Sequence, residues 1–336
     1  MSSATIKDVA NECGLSVATV SRVLNNSANV SERSAKKVHE AIEKLGYSPN
    51  FLGRNLRKRE TNVILVTMPT SEHSFYMKIV AGIQQYCQSR GYDVICASFN
   101  NSSEVEVRQM NMLFNRTVDG VILLGTSYSA DTLNKMANTY NIALCCEGVE
   151  GADVLTVVVD DEQGGYDAVK SLIKLGHRRI AFIGANDNSA SSSKRKAGYL
   201  RALGDFQLPV DDDLICCGTF EYEHGGEAME KLMSLPEPPT AVFCVSDLLA
   251  ISAVHKAHEM GLEAGKDIAV MGFDNITMCE MMLPSVSTVE QPCKEMGELV
   301  VKKLLANIAA VGGEKDNKCY IVPHRIILRD STFQIK

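Results

Sequence analysis

The stretch TIKDVANECGLSVATVSRVLN, residues 5–25, decides how the rest of the chain is read. Ile6, Val9, Ala10 and Cys13 recur at i, i+3, i+4 and i+7, which is one apolar stripe of a helix. Thr5 is a good N-cap, with Asp8 in the capping-box position, and Gly14 can adopt the left-handed conformation that ends a helix. Ser16 then caps a second helix whose inward face is Val20, Val23 and Leu24. The opposite face carries Val17, Ala18, Thr19, Ser21 and Arg22, where an ordinary solvent-facing helix would carry Lys and Glu. Short side chains let a helix sit deep in a DNA major groove, where Arg grips guanine and Val or Ala meets a thymine methyl. A helical hairpin inside some other core is the alternative that this stretch leaves open.

A third helix strengthens the DNA reading. Ser31 caps it, Val38, Ala41, Ile42 and Leu45 form its apolar face, and Gly46 ends it before Tyr47-Ser48-Pro49. Residues 1–47 are thus expected to form an all-α helix-turn-helix headpiece, a size at which a core is only marginally stable. The basic run from Asn50 through Gly53, Arg54 and Leu56 to Arg59 has a weak helical pattern, so residues 48–60 read as a hinge. Charge supports this division. Residues 1–60 hold 10 Lys and Arg against 6 Asp and Glu, while the rest hold 24 against 35, so the net charge of −7 hides a basic tip on an acidic body.

After Thr61, apolar runs alternate with amphipathic helical patterns. The runs are Val63–Thr67, Val94–Ala97, Val121–Leu124, Ile142–Cys145, Thr156–Val159, Ile180–Ile183, Ala241–Val245 and Ile268–Met271. The helical patterns lie near 75–90, 104–115, 163–175, 194–204, 223–234 and 247–260. Continuous apolar strands with intervening helices imply parallel sheets covered on both faces. Eight strands are too many for one small doubly wound domain, so two similar halves meeting near residue 160 are expected. Ligands of such sheets lie beyond the strands' carboxyl ends. That rule selects the loop 69–76, Asp160 and Asp161, the loop 185–195, Ser246-Asp247 and Asp274-Asn275. Carboxylates there suit hydroxyl donors, although helix capping is an equal alternative for Asp247.

Several function classes are disfavoured. No P-loop, G-x-S-x-G or H-E-x-x-H is present, and no paired general acid and base stands out. The 11 cysteines lack C-x-x-C or metal spacing and read as reduced, buried thiols; His255 and His258 read as a surface pair. No cofactor or metal is expected. With no signal peptide and no run near 18 apolar residues, the chain is expected to be cytoplasmic and free of the membrane. The tail Phe333–Lys336 has no leucine heptad, so a tail coiled coil is not expected.

The chain resembles the LacI/GalR family of transcription regulators over essentially all its length. The resemblance rests on DVANECGLSVATVSRVLN at 8–25, SPNFLGRNL at 48–56, LGHRRIAFIG at 175–184, KRKAGYLRAL at 194–203, Ser246-Asp247, and VMGFDN at 270–275. It implies an α/β periplasmic-binding-protein-like body, 61–336, of two doubly wound parallel-sheet subdomains. Their expected extents are 61–160 with 291–320, and 161–290 with 321–336. It implies a sequence-specific regulator, a repressor, controlled by a small metabolite in the cleft. The other class that shares such a body is a soluble sugar- or nucleoside-binding protein with no DNA role.

The resemblance also carries residues. Arg195 stands where the family places its ligand-binding arginine, and Asp274 where it places a carboxylate for sugar or base. Ser246 replaces the Asn of the family's Asn-Asp pair. Phe75, Tyr76 and Phe220 match aromatics that stack nucleobases in some members, with core packing as the alternative for Phe75 and Phe220. The stretches GRN at 53–55, PPTAVFC at 238–244 and GFDNI at 272–276 are similar to the cytidine repressor branch, favouring a nucleoside-like effector over a sugar. For DNA, Thr5, Ser16, Thr19, Ser21, Asn25 and Ser31 are expected to hold phosphates, Arg22 a guanine, and Val17 and Ala18 to set the remaining preference. Leu56 matches the family's minor-groove wedge, which implies a homodimer on a palindromic operator. Gly53 departs from the Ala common in the hinge and should make hinge helicity more dependent on DNA.

Overall fold

The structure, a computed structural model, describes residues 4–24, 30–47, 60–186, 189–310 and 312–335 of the 336. Asn25, Asn50, Gly53, Arg54 and Leu56 lie outside the described residues. The chain divides into two units, residues 1–61 and 62–336.

In the first unit, Thr5 opens helix α1 (Ile6–Cys13) with a full capping box. Its hydroxyl accepts from the Asp8 N–H at 3.4 Å, and the Asp8 carboxylate accepts from the Thr5 N–H at 2.8 Å. The Thr5 hydroxyl, which donates to the Asp8 carboxylate at 2.7 Å, and the Thr5 N–H hold the Asp8 carboxyl below its usual pKa. Gly14, at φ 65°, closes the helix through left-handed backbone. Helix α2 (Val17–Leu24) follows at once, its start capped by the Ser16 hydroxyl, which accepts from the Thr19 N–H at 3.1 Å. Helix α3 (Glu32–Leu45) starts at Ser31 and ends at Gly46. The expected stripes meet in one small core of Val9, Ala10, Cys13, Val20, Val23, Val38 and Ala41. Lys44 and Glu12 add a surface ion pair of 2.7 Å between α3 and α1.

The second unit holds two six-stranded sheets. Its first half runs β1 (Val63–Met68), α4 (Ser74–Ser89), β2 (Asp93–Ser98), α5 (Ser103–Phe114), β3 (Gly120–Leu123), α6 (Ala130–Ala137), β4 (Ile142–Cys145) and β5 (Leu155–Val158). The chain then crosses over. The second half runs α7 (Asp161–Lys174), β6 (Ile180–Ala185), α8 (Ala190–Asp205), β7 (Ile215–Gly218), α9 (Tyr222–Met233), β8 (Ala241–Cys244), α10 (Asp247–Glu259), β9 (Ala269–Asp274), α11 (Met278–Met281) and β10 (Ser287–Glu290). A second crossing leads to α12 (Cys293–Ala309) and β11 (Cys319–Ile321) on the first sheet, and a third to β12 (Arg325–Ile327) on the second. Strand order is β2-β1-β3-β4-β5-β11 in one sheet and β7-β6-β8-β9-β10-β12 in the other, so the two halves repeat one plan.

Two expectations need correction. The described residues contain twelve strands, not eight. The four that were not foreseen, β7, β10, β11 and β12, are three or four residues long and mostly at sheet edges, too short or too polar to give an apolar run. The second sheet is also not wholly parallel. β12 pairs antiparallel with β10, as an edge strand can when it arrives from the other sheet instead of through a covering helix.

Close helix packing positions the functional residues. α7 and α8 cross at Gly165 and Gly198, where a Cβ on Gly198 would overlap the backbone of Glu162 and Tyr166. α4 and α12 likewise meet at Gly82 and Gly297. No helix among the described residues is long and apolar enough to cross a membrane.

Candidate functional site

The carboxyl ends of the two sheets face a common cleft of about 810 Å³ within the second unit. One wall comes from the loop after β1 (Glu72, His73) and the start of α4 (Phe75, Tyr76), with the ends of β3 and β4 adding Thr126, Ser127, Cys146 and Glu147. The other comes from α8 (Ser191, Arg195), the loop after β7 (Phe220, Glu221), and the ends of β9 and β10 (Asp274, Gln291).

Arg195 is the centre of this wall. One turn of helix before Gly198, it is carried inward by the close α7–α8 crossing and is 6% exposed. Its Nε donates to Asp161 Oδ1 at 2.9 Å and its Nη1 to the Val245 carbonyl at 2.6 Å. Its guanidinium lies over the Phe273 ring at 3.7 Å, a cation–π contact, with Asp274 3.6 Å away. Burial works against the charge, but Asp161 and Asp274 outweigh it and hold the group above its usual pKa.

Asp274 has unusual backbone, φ 116°, followed by Asn275 at φ 55°. This bends the chain at the end of β9 and keeps the carboxylate on the cleft wall. Gln291 Nε2 donates to its Oδ1 at 2.7 Å. Burial, opposed by Arg195 and assisted by Asp247, pushes the Asp274 carboxyl up to about 7.

Phe75, Tyr76, His73 and Phe220 form an aromatic group. His73 stacks edge-on against Phe220 at 5.7 Å between centroids and against Tyr76 at 6.3 Å, and Phe75 meets Tyr76 at 5.4 Å. Burial lowers the His73 pKa and raises that of Tyr76 well above the usual phenol, so both rings are neutral near pH 7. Phe75 packs against the cores of both halves. The core-packing alternative and the cleft reading therefore both describe this ring.

Three expected cleft residues sit elsewhere. Asp160 is exposed and caps α7, its carboxylate accepting from the Gln163 N–H at 2.9 Å. The neighbouring Asp161 makes the contact with Arg195, because the helix start turns one side chain outward and the next inward. Ser246 is the N-cap of α10 and fully enclosed. Asp247, 0% exposed, accepts from Thr288 Oγ1 at 2.5 Å and from the Ile276 N–H at 2.7 Å. It ties α10 to β10 and to the turn after β9, and burial pushes it up to about 6 despite these donors. It is neither a cap nor part of the cleft wall.

Other wall residues escaped the sequence reading. Gln291 follows β10, a strand that was not recognised, and Glu147 follows β4 with nothing but that position to mark it. Glu106 is fully buried on α5 and accepts from Thr126 Oγ1 at 2.5 Å and from the Ser127 N–H at 3.0 Å, so it holds the loop after β3 in place. An acidic side chain on an amphipathic helix carries no local sign that the fold will bury it.

In the first unit, α2 exposes Val17 (41%), Ala18 and Arg22, while Thr19 and Ser21 are half-buried. The hydroxyls of Thr5, Ser16 and Ser31 are engaged as caps at the starts of the three helices. The second helix thus offers short side chains and one guanidinium, with the larger apolar residues turned into the core.

A helix-turn-helix unit in a chain that also folds a two-lobed ligand cleft defines a ligand-responsive DNA-binding regulator. Residues 5–50 match the model described as bacterial regulatory proteins, lacI family. Residues 61–328 match that of periplasmic binding proteins and the sugar binding domain of the LacI family. The chain is 34% identical to catabolite control protein A of Priestia megaterium, the match covering 98% of this chain and 99% of that one. It is 32% identical to the transcriptional repressor CytR of Escherichia coli K12, covering 98% and 96%. A solved complex of the transcriptional regulator CelR with cellobiose superposes with a TM-score of 0.73 at 30% identity, covering 98% and 99%. The chain belongs to the lacI family of bacterial regulatory proteins. It is a DNA-binding transcriptional regulator with a small-molecule cleft.

Proposed function

We propose that this protein is a homodimeric repressor of a palindromic operator, released or retained according to a nucleoside-like effector in the cleft. The observation that carries the effector reading is the cleft wall itself. Arg195 and Asp274 stand side by side, ready to take the polar edges of a base or ribose, near the aromatic rings of Phe75, Tyr76 and Phe220. The likeness to CytR supports this choice. A sugar is the second reading, favoured by the cellobiose in the CelR complex.

Arg22 reads a guanine in this proposal, Val17 and Ala18 touch neighbouring bases, and Thr5, Ser16, Thr19, Ser21 and Ser31 hold phosphates. Asn25, Asn50, Gly53, Arg54 and Leu56 complete the contacts from the hinge side. We take residues 1–47 as the headpiece, 48–60 as the hinge and 61–336 as the effector and dimerisation body. Exposed apolar side chains on α11, just after it and just after β12 support the homodimer: Met281 is 76%, Leu283 92% and Leu328 52% exposed. The Arg329–Glu280 ion pair, 3.0 Å, holds these two segments together.

A gel shift on a palindromic operator, with and without added cytidine or adenosine, tests the proposal. A specific shift that either nucleoside alters is the expected result. A shift that responds only to hexoses would replace the nucleoside reading with the sugar reading.

A further inference from the structure

The charge of the cleft restricts what can enter it. Its wall carries the carboxylates of Glu72, Glu147 and Glu221 besides the Arg195–Asp274 pair, and no lysine lines it among the described residues. Arg195 is already neutralised: Asp161 is bonded to its Nε, the Val245 carbonyl to its Nη1, and Asp274 lies within 3.6 Å. Burial lowers the pKa of His73, so this ring adds no positive charge near pH 7. A phosphate or carboxylate entering here meets no cation that is not already paired, and faces several like charges in a partly desolvated space.

Other features point toward a donor-rich ligand. Gln291, 3% exposed on the cleft wall, gives its Nε2 hydrogen to Asp274 and leaves Oε1 with no donor. A buried acceptor without a partner is costly, and an N–H or O–H from a ligand would satisfy it. Glu147 and Glu221 come from opposite halves of the body, so a cation between them is attracted to both. Phe75, Tyr76 and Phe220 also line the cleft, and an aromatic face favours a cation over an anion.

We propose that the effector is a ring compound bearing a protonated amine, an amino sugar or an amino-substituted nucleoside, and that the cleft rejects phosphorylated and carboxylated metabolites. The inference rests on the reading of the cleft as the effector site of a ligand-controlled regulator. The ammonium group sits between the carboxylates of Glu147 and Glu221, and the ring packs on the aromatic side chains.

Thermal melts of the full-length protein with two matched series test the inference. One series is glucose, glucosamine and glucose 6-phosphate; the other is adenosine, 5′-amino-5′-deoxyadenosine and adenosine 5′-monophosphate. In at least one series the amine should raise the melting temperature most, and in both the phosphate should have no effect. The double variant Glu147→Gln/Glu221→Gln should bind that amine about tenfold more weakly. The glutamine at 147 can still accept from the Ala190 N–H, as Glu147 does at 2.8 Å, and the variant's own melt reports its fold. Stabilisation by either phosphate, amines no better than their parents in both series, or undiminished binding to a folded double variant would each overturn the inference. A gel shift without added compound keeps the two readings apart. Specific operator binding with the wrong charge order refutes only the present inference, whereas loss of specific binding refutes the regulator reading whatever the melts show.

Discussion

Asp274 is a carboxylic acid held in left-handed backbone beside a guanidinium, and its ionisation is coupled to folding. Its carboxyl titrates at about 7 in the folded chain, against an ordinary value of 3.8, with burial as the main cause. Asp247, at about 6, is shifted in the same direction. The folded state therefore binds more protons than the unfolded state between these values, so these two groups make stability fall as pH rises from about 4 to about 7. Buried His177 and half-buried His73, pushed below their usual 6.5, act in the opposite sense below that pH. Asp316, pulled down to about 2 by Tyr320 and Lys303, acts in the opposite sense and mainly below this window. The informative comparison is therefore between variants. Asp274→Asn should gain melting temperature at about pH 8 relative to about pH 5 when set against wild type, and an unchanged pH profile would contradict the shift. On the DNA side, Arg22→Ala should weaken operator binding by about 1–3 kcal/mol and relax the preference at one base pair. An equal loss on random duplex would show that Arg22 holds phosphate and reads no base.

Local chemistry places the ends of the first elements. The capping box of Thr5 and Asp8 and the left-handed Gly14 set the limits of α1, so Thr5→Ala should destabilise the headpiece by about 0.5–2 kcal/mol, read from its own unfolding transition. These signals lie within a few residues of each other, which is why the headpiece was legible from the sequence. The same holds for β1, β3, β4 and β8, whose runs VILV, GVIL, IALC and AVFC mark buried strands. It fails for β10 and β12, STVE and RII, which are strands only because neighbours supply their hydrogen bonds. The α7–α8 crossing is likewise a property of two elements together. Gly198→Ala would drive a methyl into the backbone of Glu162 and Tyr166, costing about 1–3 kcal/mol and shifting Arg195 off the cleft wall. A thermal melt and a titration with the amine ligand would detect the two effects separately.

For the whole molecule, assembly is the property most open to test. If the apolar surface at Met281, Leu283 and Leu328 joins two copies, Met281→Glu with Leu283→Glu should give a monomer by sedimentation while preserving the melt of the isolated body. Operator affinity should then fall by at least about tenfold, because two headpieces would no longer bind as one unit. A dimer that survives both charges would place the interface elsewhere.

Read without coordinates, the order of residues already specified the helix-turn-helix, the alternation of strands and helices, and the strand ends from which a ligand site must be built. All of these depend on neighbours a few positions apart, through periodicity, capping and the geometry of parallel sheets. The choice of Asp161 over Asp160, the enclosure of Asp247, and the meeting of Glu147, Glu221, Asp274 and Gln291 on one cleft emerged only with the fold. Burial and charge pairing are set by groups brought together from distant parts of the chain, and no local pattern encodes those distances.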